Sequence, residues 1–327
     1  MGGNVQGWKV LYAEPLPAEL QAIVREALPL EFRLDVVASR EREELFRRAR
    51  DADFIVAATA RIDGEVLASA PRLRLVQHQG VGYDNVDVAA CKERGVAVAL
   101  TPEGTTIGVA EHTFLLILAL YKRLRTAEGA LRAGGWPVWE LRAQSFEMAG
   151  KTLGIVGFGR IGREVARRAV AFDATVLYYD PFPAPPEVEG ALSTAYRPLD
   201  DLLRVADIVT LHLPLTTATR GVIDGRALGL MKPTAILINT ARGPLVDEPA
   251  LVEALKSGGI AGAGLDVFER EPPGAEHPLL PLENVVLTPH IAAGTSDAFR
   301  TKMQAVAANV RRVAQGQAPA NLVPDPV

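Results

Sequence analysis

The sequence predicts an α/β protein built on doubly wound parallel sheets. Three observations predict it. Short runs rich in β-branched and aromatic residues alternate with amphipathic helical segments. A glycine triplet spaced G-x-G-x-x-G, in IVGFGRIG at 155–162, stands between one such run and one such helix. The alternation stops once, between about 106 and 151, and then restarts, in a chain whose length suggests one large or two medium domains.

In the first hundred residues the strand candidates are WKVLYA (8–13), FRLDVV (32–37), DFIVAA (53–58), LRLVQH (73–78) and GVAVAL (95–100). Helical segments at 17–28 and 40–50 lie between them, and DVAACKERG reads as another helix. A single long helix is expected over 106–131, and then RAGGWPVWELRAQSFEMAGK, with two glycines and a proline, as a loop or arm. Six further strands follow: TLGIVGF, TVLYYD, DIVTLHL, AILINT, GAGLDV and NVVLTPH. Six strands with the glycine motif after the first is the layout of a complete dinucleotide-binding fold. A last helix, 296–315, has no strand partner of its own and is expected to return to the first domain.

Composition narrows the function. The 327 residues are 48% hydrophobic and 23% charged with a formal charge of −4, an ordinary globular balance that advertises no basic face for nucleic acid. The one cysteine, Cys91, rules out an intrachain disulfide and fits a reducing compartment. MGGNVQGWKV has no basic segment followed by an apolar one, so a cytoplasmic protein is expected. The greasiest run, FLLILALY at 114–121, is too short to cross a bilayer and reads as a buried helix.

By chance a glycine triplet of this spacing occurs in roughly one sequence in five at this glycine content, so context must decide. Here the context agrees. KTLGIVGF has the continuous apolar character of a central parallel strand, and Ile161, Val165, Ala169 and Phe172 follow at helical spacing. Gly157 would allow the tight turn, Gly159 the approach of a pyrophosphate, and Gly162 close helix–strand packing. The phosphates would rest on the helix N-terminus. The next strand ends in Asp180, whose carboxylate can accept from both ribose hydroxyls and repels a 2′-phosphate; this selects NAD over NADP.

Three downstream segments begin where apolar strands end: NTARGPLVDEPAL, GLDVFEREPP and LTPHIAAGT. They offer Arg242, Glu271 and His290. A planar cationic fork suits the carboxylate and carbonyl of a 2-oxo acid, and a group titrating near neutrality suits the developing alkoxide. A carboxylate on the second imidazole nitrogen would orient His290 and favour its protonated form. No histidine, cysteine and carboxylate set has metal-ligand spacing, so no metal is expected.

These motifs, with LRLVQHQGVGYDNVD before them, resemble in order those of the D-isomer-specific 2-hydroxyacid dehydrogenases, over nearly the whole chain. The resemblance implies a Rossmann nucleotide-binding domain at 104–293 inserted into a flavodoxin-like substrate domain made of 1–103 and 294–327, with the active site in the cleft. It implies Arg242 as the substrate-polarising arginine, His290 as the acid/base, and Glu271 rather than Glu269 as its partner. Backbone N–H groups of Val81 and Gly82 would hold the substrate carboxylate. Asp266 would hold the nicotinamide carboxamide. Arg160, Ile161, His212, Pro214, Thr240 and Ala241 would complete the NAD contacts beside the glycines, Asp180 and His290. His78 and His112 are candidate ligand contacts, whereas His277 in GAEHPLL reads as a surface residue.

Family members usually dimerise through the nucleotide domain, and the arm bearing Trp136 and Trp139 is the interface expected here, unless those rings pack under their own loop. The expected activity is hydride transfer between NAD and a small D-2-hydroxy acid. A close rival is a short-form D-3-phosphoglycerate dehydrogenase. Its phosphate-binding arginines are reduced to Arg61 in IVAATARID. A rival of another class is a dinucleotide-sensing corepressor on the same fold.

Overall fold

A computed structural model describes residues 7–323, and the chain divides into two compact units, Met1–Thr105 with Thr295–Val327, and Thr106–Gly294. The first unit runs β1 (Trp8–Tyr12), α1 (Ala18–Ala27), β2 (Phe32–Val36), α2 (Arg42–Ala49), β3 (Phe54–Ala57), α3 (Gly64–Ser69), β4 (Leu75–His78), α4 (Val88–Glu93) and β5 (Ala97–Ala99). The strands form one parallel sheet in the order β2-β1-β3-β4-β5. β3 and β4 are buried throughout, as central parallel strands must be, while edge strand β2 is mostly half-buried.

Side-chain alternation splits that core by face. Leu11, Ile55 and Val76 pack with Leu45, Val66, Leu67 and Cys91 from α2, α3 and α4. Val10, Tyr12, Phe54, Val56 and Leu75 pack with Ile23 and Val24 of α1 and with Phe299, Met303, Val306 and Val310 of the C-terminal helix, Ser296–Ala314. Thr295 caps that helix by accepting the Ala298 N–H.

The second unit opens with α5 (Thr105–Tyr121), α6 (Leu124–Arg132) and α7 (Val138–Arg142). The single helix expected over 106–131 is thus broken. Arg123 takes a left-handed conformation (φ 52°) where the chain leaves the core: α5 carries the buried Leu116, Ile117 and Leu120, while α6 has no buried residue. The arm also contains α7, a one-turn helix that the loop expectation lacks.

A seven-stranded parallel sheet follows, from β6 (Thr152–Val156), β7 (Thr175–Tyr179), β8 (Thr194–Tyr196), β9 (Ile208–Leu211), β10 (Ile236–Asn239), β11 (Gly262–Leu265) and β12 (Val285–Leu287). The connecting helices are α8 (Arg160–Val170), α9 (Pro186–Leu192), α10 (Leu199–Val205), α11 (Gly225–Leu230) and α12 (Glu248–Ser257). The strand order is β12-β11-β10-β9-β6-β7-β8. Sequence reading finds six of the seven strands; β8, TAY, is an edge strand with every residue half-buried and no apolar run to announce it. The order reverses at β6, which pairs with both β7 and β9. At such a switch point loops diverge above the carboxyl ends of the strands and leave a crevice for a ligand.

Candidate active site

At that switch point the glycine turn joins β6 to α8. Gly157 has φ 101°, and a Cβ there would lie 2.6 Å from the His212 carbonyl carbon, so only glycine fits the turn. A Cβ on Gly162 would sit 2.2 Å from the Gly157 oxygen, so the helix packs directly on the turn. Gly159 differs: a Cβ there would meet nothing within 4 Å, and no side chain caps the helix that it opens. Open space over an uncapped helix N-terminus is a cradle of the kind a pyrophosphate fills. Asp180 lies beside it. One carboxylate oxygen accepts the Phe158 N–H (2.8 Å) and the other the Phe182 N–H (2.9 Å), which leaves lone pairs on both for ribose hydroxyls. The residues present fit NAD.

Three strand ends carry the candidate reactive groups. His290 follows β12, and its Nδ1 lies 2.7 Å from Glu271 Oε2, with the two side chains 38% and 33% exposed. The other Glu271 oxygen accepts the Phe268 N–H at 3.1 Å. Burial opposes ionisation of Glu271, but the His290 hydrogen bond and charge, the Phe268 N–H and the Arg242 charge outweigh it and hold the carboxyl below its usual range. Arg242 follows β10 and donates from Nη1 to the Ala241 carbonyl at 2.8 Å. A Cβ on Gly243 would lie 2.0 Å from the Phe268 carbonyl, so the loop carrying Arg242 and the loop carrying Glu271 touch backbone to backbone there.

His290 is itself in a left-handed conformation (φ 53°), which a non-glycine residue holds only when its surroundings over-determine it. Its N–H donates to the Asp266 carbonyl at 2.8 Å. The Asp266 carboxylate accepts the Ile291 N–H (2.9 Å), the Ala292 N–H (2.8 Å) and the Thr288 hydroxyl (2.6 Å). The resemblance places Asp266 at the nicotinamide carboxamide; the structure shows it wholly buried and binding the turn that carries His290. Because the Thr288 hydroxyl gives its proton to Asp266, it accepts one from His112 Nε2 (2.9 Å), so the helix that opens this unit also braces the turn.

The other candidates are placed as follows. His277 is not a surface residue. It is 13% exposed and pairs with Glu248 at 2.8 Å, and the other Glu248 oxygen accepts the Glu269 N–H, so it anchors the loop of Glu271. His212 bonds Thr210 Oγ1 at 2.9 Å, and burial pushes its imidazole down to about 3, which keeps it neutral. Pro214 accepts the Thr219 hydroxyl through its carbonyl, and Thr240 faces Thr113 across 3.2 Å. Val81 and Gly82 belong to the first unit, on the loop after β4, with Val81 42% exposed. His78 lies beneath that loop, buried. Trp136 and Trp139 do not pack under their own loop: they are 77% and 74% exposed.

Two contributors escape sequence reading. Buried Asn239 accepts the Ala241 N–H (3.0 Å) and donates to the Arg242 carbonyl (2.9 Å), which fixes the turn on which Arg242 stands. Thr288 joins His112 to Asp266. Asn239 leaves one signal in the sequence, a polar residue closing an otherwise apolar strand.

Comparison with known proteins identifies the family. Residues 114–292 match the family described as D-isomer specific 2-hydroxyacid dehydrogenase, NAD binding domain. The glyoxylate reductase of Pyrococcus furiosus is 45% identical over 291 residues, 86% of this chain and 85% of that protein. The D-3-phosphoglycerate dehydrogenase of Methanocaldococcus jannaschii is 39% identical over 96% of this chain but only 59% of its own length. A solved structure from Thermus thermophilus superposes with a TM-score of 0.87 at 37% identity, covering 97% of this chain and all of that one (100%). The chain therefore belongs to the D-isomer specific 2-hydroxyacid dehydrogenase family, as an NAD-dependent oxidoreductase that exchanges a hydride with a small 2-hydroxy or 2-oxo acid.

Proposed function

We propose that the protein reduces a short, unphosphorylated 2-oxo acid of the glyoxylate or hydroxypyruvate class, with His290 as the proton donor. The observation that carries this is the 2.7 Å bond from His290 Nδ1 to Glu271, which leaves Nε2 as the nitrogen turned to substrate. NAD(H), when bound, supplies or takes the hydride at C2. Gly157, Gly159, Arg160, Ile161 and Gly162 would hold its phosphates, Asp180 its ribose, and His212, Pro214, Thr240 and Ala241 its flanks. Arg242 would fork onto the substrate carboxylate and carbonyl, and the N–H groups of Val81 and Gly82 would take the carboxylate. As C2 accepts the hydride, Nε2 gives its proton to the carbonyl oxygen, and Glu271 stabilises the imidazolium beforehand.

Two observations favour an unphosphorylated substrate. The loop after β3 carries Ala58, Thr59 and Ala60, and their N–H groups all point to Glu14 Oε1 at 2.6–2.8 Å rather than outward to an anion. Arg61 is 77% exposed and pairs with Asp63 at 3.2 Å. A phosphate without two charge-assisted partners, each worth about 1.5–3 kcal/mol, would bind on the order of 10²-fold more weakly. The names of the glyoxylate reductase relatives point the same way.

A homodimer in the cytoplasm completes the reading. It is supported by the exposed Trp136 and Trp139, with Leu124, Leu131 and Phe146 also exposed along the same segment, and by the lone, buried Cys91. Among the described residues no helix is long and apolar enough to cross a membrane. The test is NADH oxidation with glyoxylate, hydroxypyruvate, pyruvate and 3-phosphohydroxypyruvate under one set of conditions. One of the unphosphorylated acids should have the highest kcat/KM. If 3-phosphohydroxypyruvate wins and Arg61→Ala removes its advantage, the protein is a phosphoglycerate dehydrogenase instead.

A further inference from the structure

We infer that His78 is a positioning residue for substrate recognition: its imidazole clamps the Gly80–Val81–Gly82 loop to the loop after β3. The inference rests on the proposed reading in one respect, the role of that loop in holding the substrate carboxylate. Its geometry stands independently. His78 ends β4 and is buried at 4% exposure, while Val81 just above it is 42% exposed. His78 Nε2 lies 3.0 Å from the Ala58 carbonyl oxygen, which can only accept, so Nε2 carries the proton. The Gly80 N–H donates to Nδ1 at 3.0 Å, so Nδ1 carries a lone pair. The two bonds together tie both ring nitrogens and fix the orientation of the imidazole.

The ring acts on parts that are themselves held. Asn85 Nδ2 donates to the Ala58 and Ala60 carbonyls at 3.3 and 2.7 Å, and Glu14 takes the three N–H groups of the same stretch. The loop after β3 is therefore braced from both sides and serves as a fixed post. His78 transmits that fixity to Gly80. A Cβ at Gly80 would rest 3.4 Å from His78 Cε1, so the loop lies directly against the ring. The N–H groups of Val81 and Gly82 follow Gly80 without a break, and the direction in which they point depends on where Gly80 is held. A donor pair aimed in advance binds a carboxylate without a reorganisation cost.

The two bonds can be separated by substitution. Asn places an acceptor where Nδ1 stands but cannot reach Ala58; Gln places a donor where Nε2 stands but cannot accept from Gly80. Wild type, His78→Asn, His78→Gln and His78→Ala are compared by steady-state kinetics with glyoxylate, by NADH affinity and by amide exchange at Gly80. Loss of one orienting hydrogen bond should raise the glyoxylate KM about 10-fold in His78→Ala and His78→Gln. Their kcat and NADH affinity should stay near wild type, and the Gly80 amide should exchange faster. His78→Asn, which keeps an acceptor for Gly80 but loses the tie to Ala58, should lie between wild type and His78→Ala in both KM and protection. Equal KM in all four proteins, or equal loss in His78→Asn and His78→Ala, would overturn the inference. If wild type turns over no 2-oxo acid, the proposed substrate class fails. The exchange pattern across the variants still decides whether His78 holds the loop.

Discussion

At the scale of single residues, the site is a set of groups whose charges are arranged before any ligand arrives. Glu271 is held ionised below the ordinary carboxylate range, chiefly by His290 against the opposition of burial. Glu271→Gln removes the anion that favours the imidazolium, so the rate of 2-oxo acid reduction should fall away at lower pH than in wild type. The check is a kcat/KM profile under conditions where chemistry limits the rate; an unmoved alkaline limb would contradict the pairing. Asp180 makes a second residue-scale prediction. Asp180→Ser should narrow the preference for NAD(H) over NADP(H), chiefly by weakening NAD(H), because it loses ribose acceptors and frees the Phe158 N–H that the carboxylate now binds. Equal kcat/KM for the two cofactors in wild type would remove Asp180 from the ribose. The segments bearing Arg242, Glu271, His290 and the glycine turn were legible as candidates because each follows an apolar strand run, while the choice of Glu271 over Glu269 came from the family resemblance. Asn239, Thr288 and the bracing role of Asp266 were not legible. Asn239 acts through local side chain–backbone bonds and shows only as a polar residue closing an apolar strand, whereas Thr288 and Asp266 act through bonds between segments far apart in sequence, which no local pattern records.

At the scale of elements, strands were more legible than helices. Eleven of the twelve strands of the described residues fall on short apolar runs visible in the sequence, even where the strand is half-buried, as β2 is; β8, whose three residues are all half-buried, does not. The break at Arg123 hid because the residues on either side keep good helix formers while burial changes abruptly. Close approach at glycine is the feature most exposed to mutation here. Gly162→Ala would drive a methyl into the Gly157 carbonyl, and Gly243→Ala into the Phe268 backbone. Each should cost about 3 kcal/mol or more, at or beyond the upper end of overpacking penalties, because the obstacle is backbone rather than a side chain that can turn away. Thermal unfolding measures this as a fall of several degrees in Tm. Gly162→Ala should also weaken NADH binding, whereas Gly159→Ala should leave Tm unchanged and still weaken NADH, since its neighbourhood is open. Equal Tm losses for Gly159→Ala and Gly162→Ala would contradict the distinction between cradle and packing glycine.

At the scale of the whole molecule, there are two parallel sheets with different strand orders; the carboxyl edge of one carries the glycine turn, Arg242 and His290, and that of the other His78 and the Gly80–Gly82 loop. The exposed tryptophans of the arm belong to this scale too. The proposed homodimer predicts that replacing Trp136 and Trp139 together by Glu halves the mass in light scattering without loss of sheet content; a mass that the replacement leaves unchanged would contradict the proposed interface. The central claim, that His290 hands the proton to a 2-oxo acid while NADH is held by other residues, is tested most directly by His290→Ala. Its kcat for glyoxylate reduction should drop by roughly 10²–10⁴, the range for losing a positioned acid, while NADH affinity measured by fluorescence stays at the wild-type value. A kcat near wild type, or a loss explained by weakened NADH binding, would contradict that role.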